Sequence, residues 1–118
     1  MRLDVSVNMF VYQALVKKKL IVFGGKQIRP NIHIKDMAEA YIMLLESSKK
    51  KVAGKVFNAG YENKTVLELA KTARNVIGDD VKLITSESDD NRSYHISSQK
   101  IKEELGFNPQ HSIKDAIE

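Results

Sequence analysis

Apolar side chains at Val7, Phe10, Val11, Ala14 and Leu15 recur at three- and four-residue intervals, which predicts an amphipathic helix over residues 7–15. The β-branched run Leu20, Ile21, Val22, Phe23 is stopped by Gly24 and Gly25 and reads as a strand ending in a turn. Beyond Pro30, Ile32 and Ile34 alternate with polar neighbours, predicting a second short extended piece. Asp36 followed by Glu39 has the spacing of a capping box, so a helix is expected to open at Asp36. Met37, Ala38, Tyr41, Leu44 and Leu45 form its apolar face, and it gives way at Ser47 and Ser48. Val56 and Phe57 suggest a third strand leading into Asn58, Ala59 and Gly60. Thr65 with Glu68 repeats the capping-box spacing, for a helix running to Ile77 and stopped by Gly78. Residues 81–85 read as a fourth strand, and the acidic, polar stretch 86–91 as a loop. Tyr94, His95 and Ile96 look extended. Ser97 is placed to cap a short helix that reaches Leu105 and ends at Gly106, and Ser112 with Asp115 begins a last helix.

The alternation of helices and strands gives an α/β or α+β class, a small sheet with flanking helices. With 118 residues and neither repeat nor linker, residues 1–118 form one domain. The pattern opens in an uncapped helix and stops partway through another, so a piece of a longer polypeptide is expected. Composition, at 42% hydrophobic and 29% charged, suits an ordered core. No apolar run approaches the roughly 18–20 residues that span a bilayer. No export signal is visible either, because an acid, Asp4, stands where a signal peptide needs an apolar block; the cytoplasm is the expected setting.

Charge narrows the partner only a little. A net +4 favours an anionic ligand without choosing among nucleic acid, phosphorylated small molecule and acidic protein. The runs Lys17–Lys19 and Lys49–Lys51 both follow apparent helices, where cations complement the helix dipole. Nucleic-acid contact would require aromatic or polar readers beside those lysines, and none stand there, so no nucleic-acid partner is expected.

Several kinds of catalytic machinery are missing. The glycines at 24, 25, 54, 60, 78 and 106 fit neither the dinucleotide fingerprint nor a Walker loop. No tyrosine is followed four residues later by a lysine that would lower its pKa for proton transfer: Tyr12, Tyr41, Tyr61 and Tyr94 precede Val16, Leu45, Thr65 and Ser98 at that spacing. The absence of cysteine removes thiolate zinc sites and cysteine nucleophiles, and His33, His95 and His111 are scattered, so no metal site is expected. No catalytic residue is assigned in this chain.

One constellation suits a diphosphate. Asn8 lies near a helix start, where free N–H groups and the dipole attract anions. Arg29 follows the glycine-ended strand and offers a planar fork matching phosphate oxygens, and Arg92 follows the acidic loop. The strand at residues 20–23 offers an apolar face to a flat base. The plainer alternative makes Arg29 and Arg92 surface ion-pair residues, Asn8 a cap and Phe23 part of the core.

The stretch from Leu20 to Tyr41, Leu-Ile-Val-Phe-Gly-Gly-Lys-Gln-Ile-Arg-Pro-Asn-Ile-His-Ile-Lys-Asp-Met-Ala-Glu-Ala-Tyr, resembles the "vfGxGxqxRdxihVxDxAxA" segment of extended short-chain dehydrogenases, the NAD-dependent nucleotide-sugar epimerases and dehydratases. Val56-Phe-Asn-Ala-Gly60 is similar to their "vyNiG" strand end, and Tyr94-His-Ile-Ser-Ser-Gln-Lys-Ile-Lys-Glu-Glu-Leu-Gly-Phe-Asn-Pro109 to their "Yxxdxs-K-xxxeLGfxP" close. The resemblance covers nearly the whole chain and implies the C-terminal, substrate-binding part of a Rossmann-type enzyme. It implies that Asn8 and Arg29 contact the substrate diphosphate, that Ile21 and Phe23 flank the base, and that Asn58 helps hold the nucleotide. Arg92 and Tyr94 would then lie by the phosphates or the sugar. NAD is implied for the complete enzyme, held by an N-terminal part, with no cofactor bound by this chain. Two departures stand out. Pro30 replaces the family's usual Asp, and the loop Glu87-Ser-Asp-Asp-Asn-Arg92 replaces an "RpGD" element.

Two functions follow as expectations: the substrate-holding part of an epimerase or dehydratase, not catalytic alone, or a stand-alone nucleotide or nucleotide-sugar binding module. If an N-terminal half normally covers the helix at residues 36–46, its apolar face is exposed or repacked here, and a homodimer or rearranged packing is expected.

Overall fold

The computed structural model describes residues 2–118 and has the expected mixture of helices and strands, with several elements arranged differently. Helix α1 (Ser6–Tyr12) continues into one π-helical turn, Gln13–Lys17, which ends at Lys18 in a left-handed conformation. Strands β1 (Lys19–Phe23) and β2 (Ile28–Asn31) follow, then helices α2 (Ile34–Glu46) and α3 (Lys49–Val52). Next come β3 (Glu62–Thr65), α4 (Val66–Ile77), β4 (Lys82–Ser86), α5 (Gln99–Leu105) and α6 (Ile113–Ile117).

Instead of one small sheet there are two, each of two strands. β1 pairs in parallel with β4, Lys19 opposite Lys82 and Phe23 opposite Ser86. β2 pairs antiparallel with β3, Arg29 opposite Lys64 and Pro30 opposite Asn63. Pro30 is tolerated because a strand with a single neighbour has an edge on which a missing N–H breaks no ladder. Along β1, Leu20 and Val22 are buried while Phe23 is 55% exposed, so Ile21 and Phe23 share the face turned away from the core.

The second extended piece expected at Ile32 and Ile34 lies earlier, as β2, and Ile34 already begins α2. Asp36 does not cap that helix. His33 does, its Nδ1 accepting from the Lys35 N–H at 3.1 Å. Asp36 is 3% exposed and turns inward to residues 110 and 111, far along the chain. The strand expected at Val56 and Phe57 is absent: those residues join no ladder, and the strand of this region is the polar Glu62–Thr65. Tyr94–Ile96 is likewise irregular, tied down by single contacts: Tyr94 N–H donates to Ile28 O, and Asn63 bonds both backbone groups of Ile96. The helix expected after Ser97 starts at Gln99, with Ser98 at its N-cap position making no side-chain cap bond. The capping box at Thr65/Glu68 forms as expected, and Ser112 and Asp115, expected to begin the last helix, do so through a second capping box.

Apolar burial divides into two clusters. The larger packs α1, β1 and α4 around Phe10, Leu20, Val22, Leu69 and Val81. The smaller joins α2, α5 and the segment before β3 through Ala40, Ile101 and Phe107. The molecule measures 51 × 29 × 21 Å with a radius of gyration of 16.4 Å, against about 13.5 Å for a compact domain of this length. It is elongated because two small cores lie along it.

Candidate functional site

The turn after β1 organises the site. Gly24 and Gly25 both have positive φ, and a Cβ on Gly24 would sit 2.5 Å from the Gln27 amide nitrogen. That space belongs to the buried Gln27 side chain. Its Oε1 accepts from the Gly25 N–H at 2.6 Å, while Nε2 donates to Phe23 O at 3.2 Å and Asp90 O at 2.8 Å. Gln27 therefore fastens the end of β1 to the loop that follows β4. Ser93 adds a second fastening, its Oγ accepting from the Ile28 N–H at 3.1 Å. Sequence reasoning passed over both residues. A Gly-Gly-x-Gln pattern was the available signal, but its meaning depends on a loop more than sixty residues away.

Between these elements lies a hollow of about 470 Å³, lined among others by Gln27, Thr85, Ser86, Asn91 and Ser93. Three of the expected ligand-binding residues, Arg29, Arg92 and Tyr94, meet one another, but none of them lines this hollow, to which the neighbours Asn91 and Ser93 contribute instead. Arg29 projects from β2, its Nη1 donating to Ile28 O at 3.0 Å and to Arg92 O, with its guanidinium 5.4 Å from the Tyr94 ring centroid. Arg92 forms a two-pronged pair with Asp90, Nε to Oδ1 at 2.7 Å and Nη2 to Oδ2 at 2.9 Å. Asp90 Oδ2 is also 3.9 Å from Arg29 Nη2. Hydrogen bonds from the Arg92 side chain and then its backbone, followed by the charges of Arg92 and Arg29, hold the Asp90 carboxyl far below the usual range. Two planar guanidinium groups beside an aromatic ring are donors of the kind that receive a polyanion.

The remaining expected residues are distributed more widely. Phe23 is exposed at the end of β1, opposite Ser86 on the rim of this hollow, and Ile21 lies on the same strand face. Asn8 lines a different hollow, of about 420 Å³, together with Asn31 and His33, and donates to Arg2 O at 2.9 Å. Asn58 is exposed between Phe57 and Ala59, which pack into the smaller core cluster.

Near the second hollow, Asp36 accepts from the backbone N–H groups of Gln110 (3.1 Å) and His111 (2.9 Å), and His111 Nδ1 lies 2.8 Å from its Oδ1. Burial pushes this carboxyl up, but the His111 side chain and the two N–H donors outweigh it and leave the pKa below the ordinary value. His33 stacks on His111 at 4.8 Å between ring centroids. Among the described residues no three His, Cys, Asp or Glu side chains gather as a metal site.

The chain's own residues do not fit NAD. The glycine pair after β1 leads into β2; the helix start that meets this turn is that of α4, whose Val66 and Leu67 N–H groups are already taken by the carbonyls of Gln27 (2.9 Å) and Gly25 (3.0 Å), and the direct strand-to-helix junction, Thr65–Val66, has no glycine to let a pyrophosphate approach. Among the described residues no helix is long and apolar enough to cross a membrane.

The model of the "NAD dependent epimerase/dehydratase family" matches residues 6–60. A UDP-glucose 4-epimerase of Corynebacterium glutamicum is 32% identical over 108 residues, a match spanning 81% of this chain and 32% of that protein. UDP-glucuronic acid decarboxylase 6 of Arabidopsis thaliana is 30% identical over 114 residues, spanning 94% and 32%. Among solved structures, UDP-glucuronic acid 4-epimerase from Bacillus cereus, in complex with UDP-glucuronic acid and NAD, superposes with a TM-score of 0.84 at 23% identity, covering 99% of this chain and 38% of that one. The Thermotoga maritima UDP-glucose 4-epimerase with UDP-glucose gives 0.81 at 25% identity, covering 96% and 37%. The chain spans about a third of the length of the curated relatives it matches. With the family model over residues 6–60, the curated relatives and the fold all agreeing, the chain belongs to the NAD-dependent epimerase/dehydratase family of extended short-chain dehydrogenases.

Proposed function

We propose that this chain binds the nucleoside-diphosphate moiety of a nucleotide-sugar, as the C-terminal, substrate-holding part of an NAD-dependent epimerase or dehydratase. The observation that carries the reading is the meeting of Arg29, Arg92 and Tyr94, two guanidinium groups and an aromatic ring in contact. The guanidinium groups would grip the diphosphate, and Phe23 with Ile21 would lie along the base. Asn8, expected on the diphosphate with Arg29, lines a separate hollow and is not assigned to it here, and Asn58 is left without a ligand contact. Holding the non-reacting end of a substrate positions its reacting end, which is how a part without catalytic groups contributes to rate. NAD and the proton-transferring pair would come from the N-terminal Rossmann part, in the same or another polypeptide. The relatives support the ligand class, since two of the solved structures contain UDP-glucose or UDP-glucuronic acid.

Calorimetric titration with UDP-glucose, UDP-glucuronic acid and dTDP-glucose tests the reading. Arg29→Ala is expected to weaken binding by about 10- to 100-fold, the value of a lost charge-assisted hydrogen bond or two. Identical affinity in the variant, or no binding at millimolar ligand, overturns it. The stand-alone binding module is the second reading, favoured by a site whose residues all lie on one chain. Turnover on adding a dinucleotide-binding half in trans selects the enzyme part, and unchanged binding without turnover selects the module.

A further inference from the structure

Building on the proposed diphosphate site, we propose that Asp90 is a resident counter-anion: its carboxylate occupies the place of a phosphate between Arg29 and Arg92, and an incoming diphosphate must displace it. One oxygen, Oδ2, is 2.9 Å from Arg92 Nη2 and 3.9 Å from Arg29 Nη2, so a single acceptor sits between both forks. The other oxygen takes Arg92 Nε at 2.7 Å, completing the two-pronged geometry that a phosphate also offers. Arg29 cannot turn away from this position freely. Its Nη1 is committed to the carbonyls of Ile28 and Arg92, which leaves Nη2 facing the carboxylate.

The carboxylate has one tie to the loop itself, the Arg92 N–H donating to Oδ1 at 3.2 Å, which an asparagine Oδ1 can also accept, and the loop has further support. Backbone bonds hold the loop: Asp90 O accepts from Gln27 Nε2 at 2.8 Å, and Asp90 N–H donates to Ser88 Oγ at 3.1 Å. The Asp90 side chain is 42% exposed and that of Arg92 72%, and such pairs open at little cost. A diphosphate carries more charge than one carboxylate, so exchange favours the ligand while lowering its net affinity. Asp90 thereby sets a threshold: weakly charged anions fail to displace it and a diphosphate succeeds.

The test titrates UDP and inorganic pyrophosphate into the unaltered chain, Asp90→Asn and Asp89→Asn. Asp89 is the exposed neighbour, and its substitution removes the same formal charge one position away. Asp90→Asn is expected to bind about tenfold more tightly, as follows from removing a like charge some 4 Å from a phosphate at a partly exposed site, and Asp89→Asn to stay within about twofold. Asp90→Ser repeats the measurement if the asparagine variant fails to fold. Equal or weaker binding by both Asp90 variants, or an equal gain in Asp89→Asn, overturns the proposal while the diphosphate site stands. Binding by no protein in the set overturns both. Binding by the Asp90 variants alone supports both.

Discussion

A single carboxylate ties the two ends of the molecule. Asp36, in the first turn of α2, is nearly inaccessible and accepts three hydrogen bonds from residues 110 and 111. The Asp36/Glu39 spacing suggested a helix cap because capping is local, whereas the true partners lie 74 and 75 positions away, where no periodicity reaches. Its folded pKa lies below the ordinary carboxyl value, so the ionised form supplies stability that is present above about pH 4 and is lost as pH falls through the folded value. Asp36→Asn is expected to cost about 1–3 kcal/mol near neutrality, with two backbone donors left poorly satisfied. The gap between the two proteins should close below about pH 4. Urea unfolding from pH 3 to 7 measures it, and a constant gap contradicts the assignment. Arg29, Arg92 and Tyr94 were legible as ligand candidates from their side-chain chemistry and family resemblance. Their common counter-ion Asp90 was not, because an acidic loop has the same composition whether or not it meets an arginine.

Elements governed by neighbours within four residues were readable, and those governed by distant strands were not. Helix α4 illustrates the first kind: Thr65 Oγ1 accepts from the Glu68 N–H at 3.2 Å, and Glu68 Oε2 accepts from the Thr65 N–H at 2.8 Å. Thr65→Ala should destabilise the fold by about 1 kcal/mol and lower the thermal midpoint by several degrees, followed by circular dichroism; no change means the box contributes nothing. Val56 and Phe57 illustrate the second kind. Their side chains suit a strand, yet no described strand lies beside them, and the Val56 carbonyl accepts from Lys100 Nζ at 2.8 Å instead. Conversely, Glu62–Thr65 has no apolar alternation and becomes a strand because β2 offers it partners.

Across the molecule, burial is uneven. Helix α2 turns Ala40 and Met43 to the smaller core, while Ile34, Tyr41 and Leu45 stand 76%, 64% and 85% exposed. With Ala38 they form a stripe at positions 34, 38, 41 and 45, whose spacing reads the same from either end. An antiparallel second copy would set Ile34 against Leu45, Ala38 against Tyr41 and Lys35 near Glu46. Concentration-dependent self-association is therefore expected, and Leu45→Glu should weaken it at least about tenfold in sedimentation equilibrium. A monomer at high concentration, or a dimer indifferent to Leu45→Glu, refutes it.

Strands β1 and β4 are neighbours in space, but each residue of β1 waits for a partner 63 positions downstream. At ribosomal speeds of about 5–20 residues per second, that delay is roughly 3–13 s. Throughout it, the backbone N–H and C=O groups on that edge of β1 lack their ladder partner, and the growing chain is open to chaperone capture or to pairing with another nascent copy.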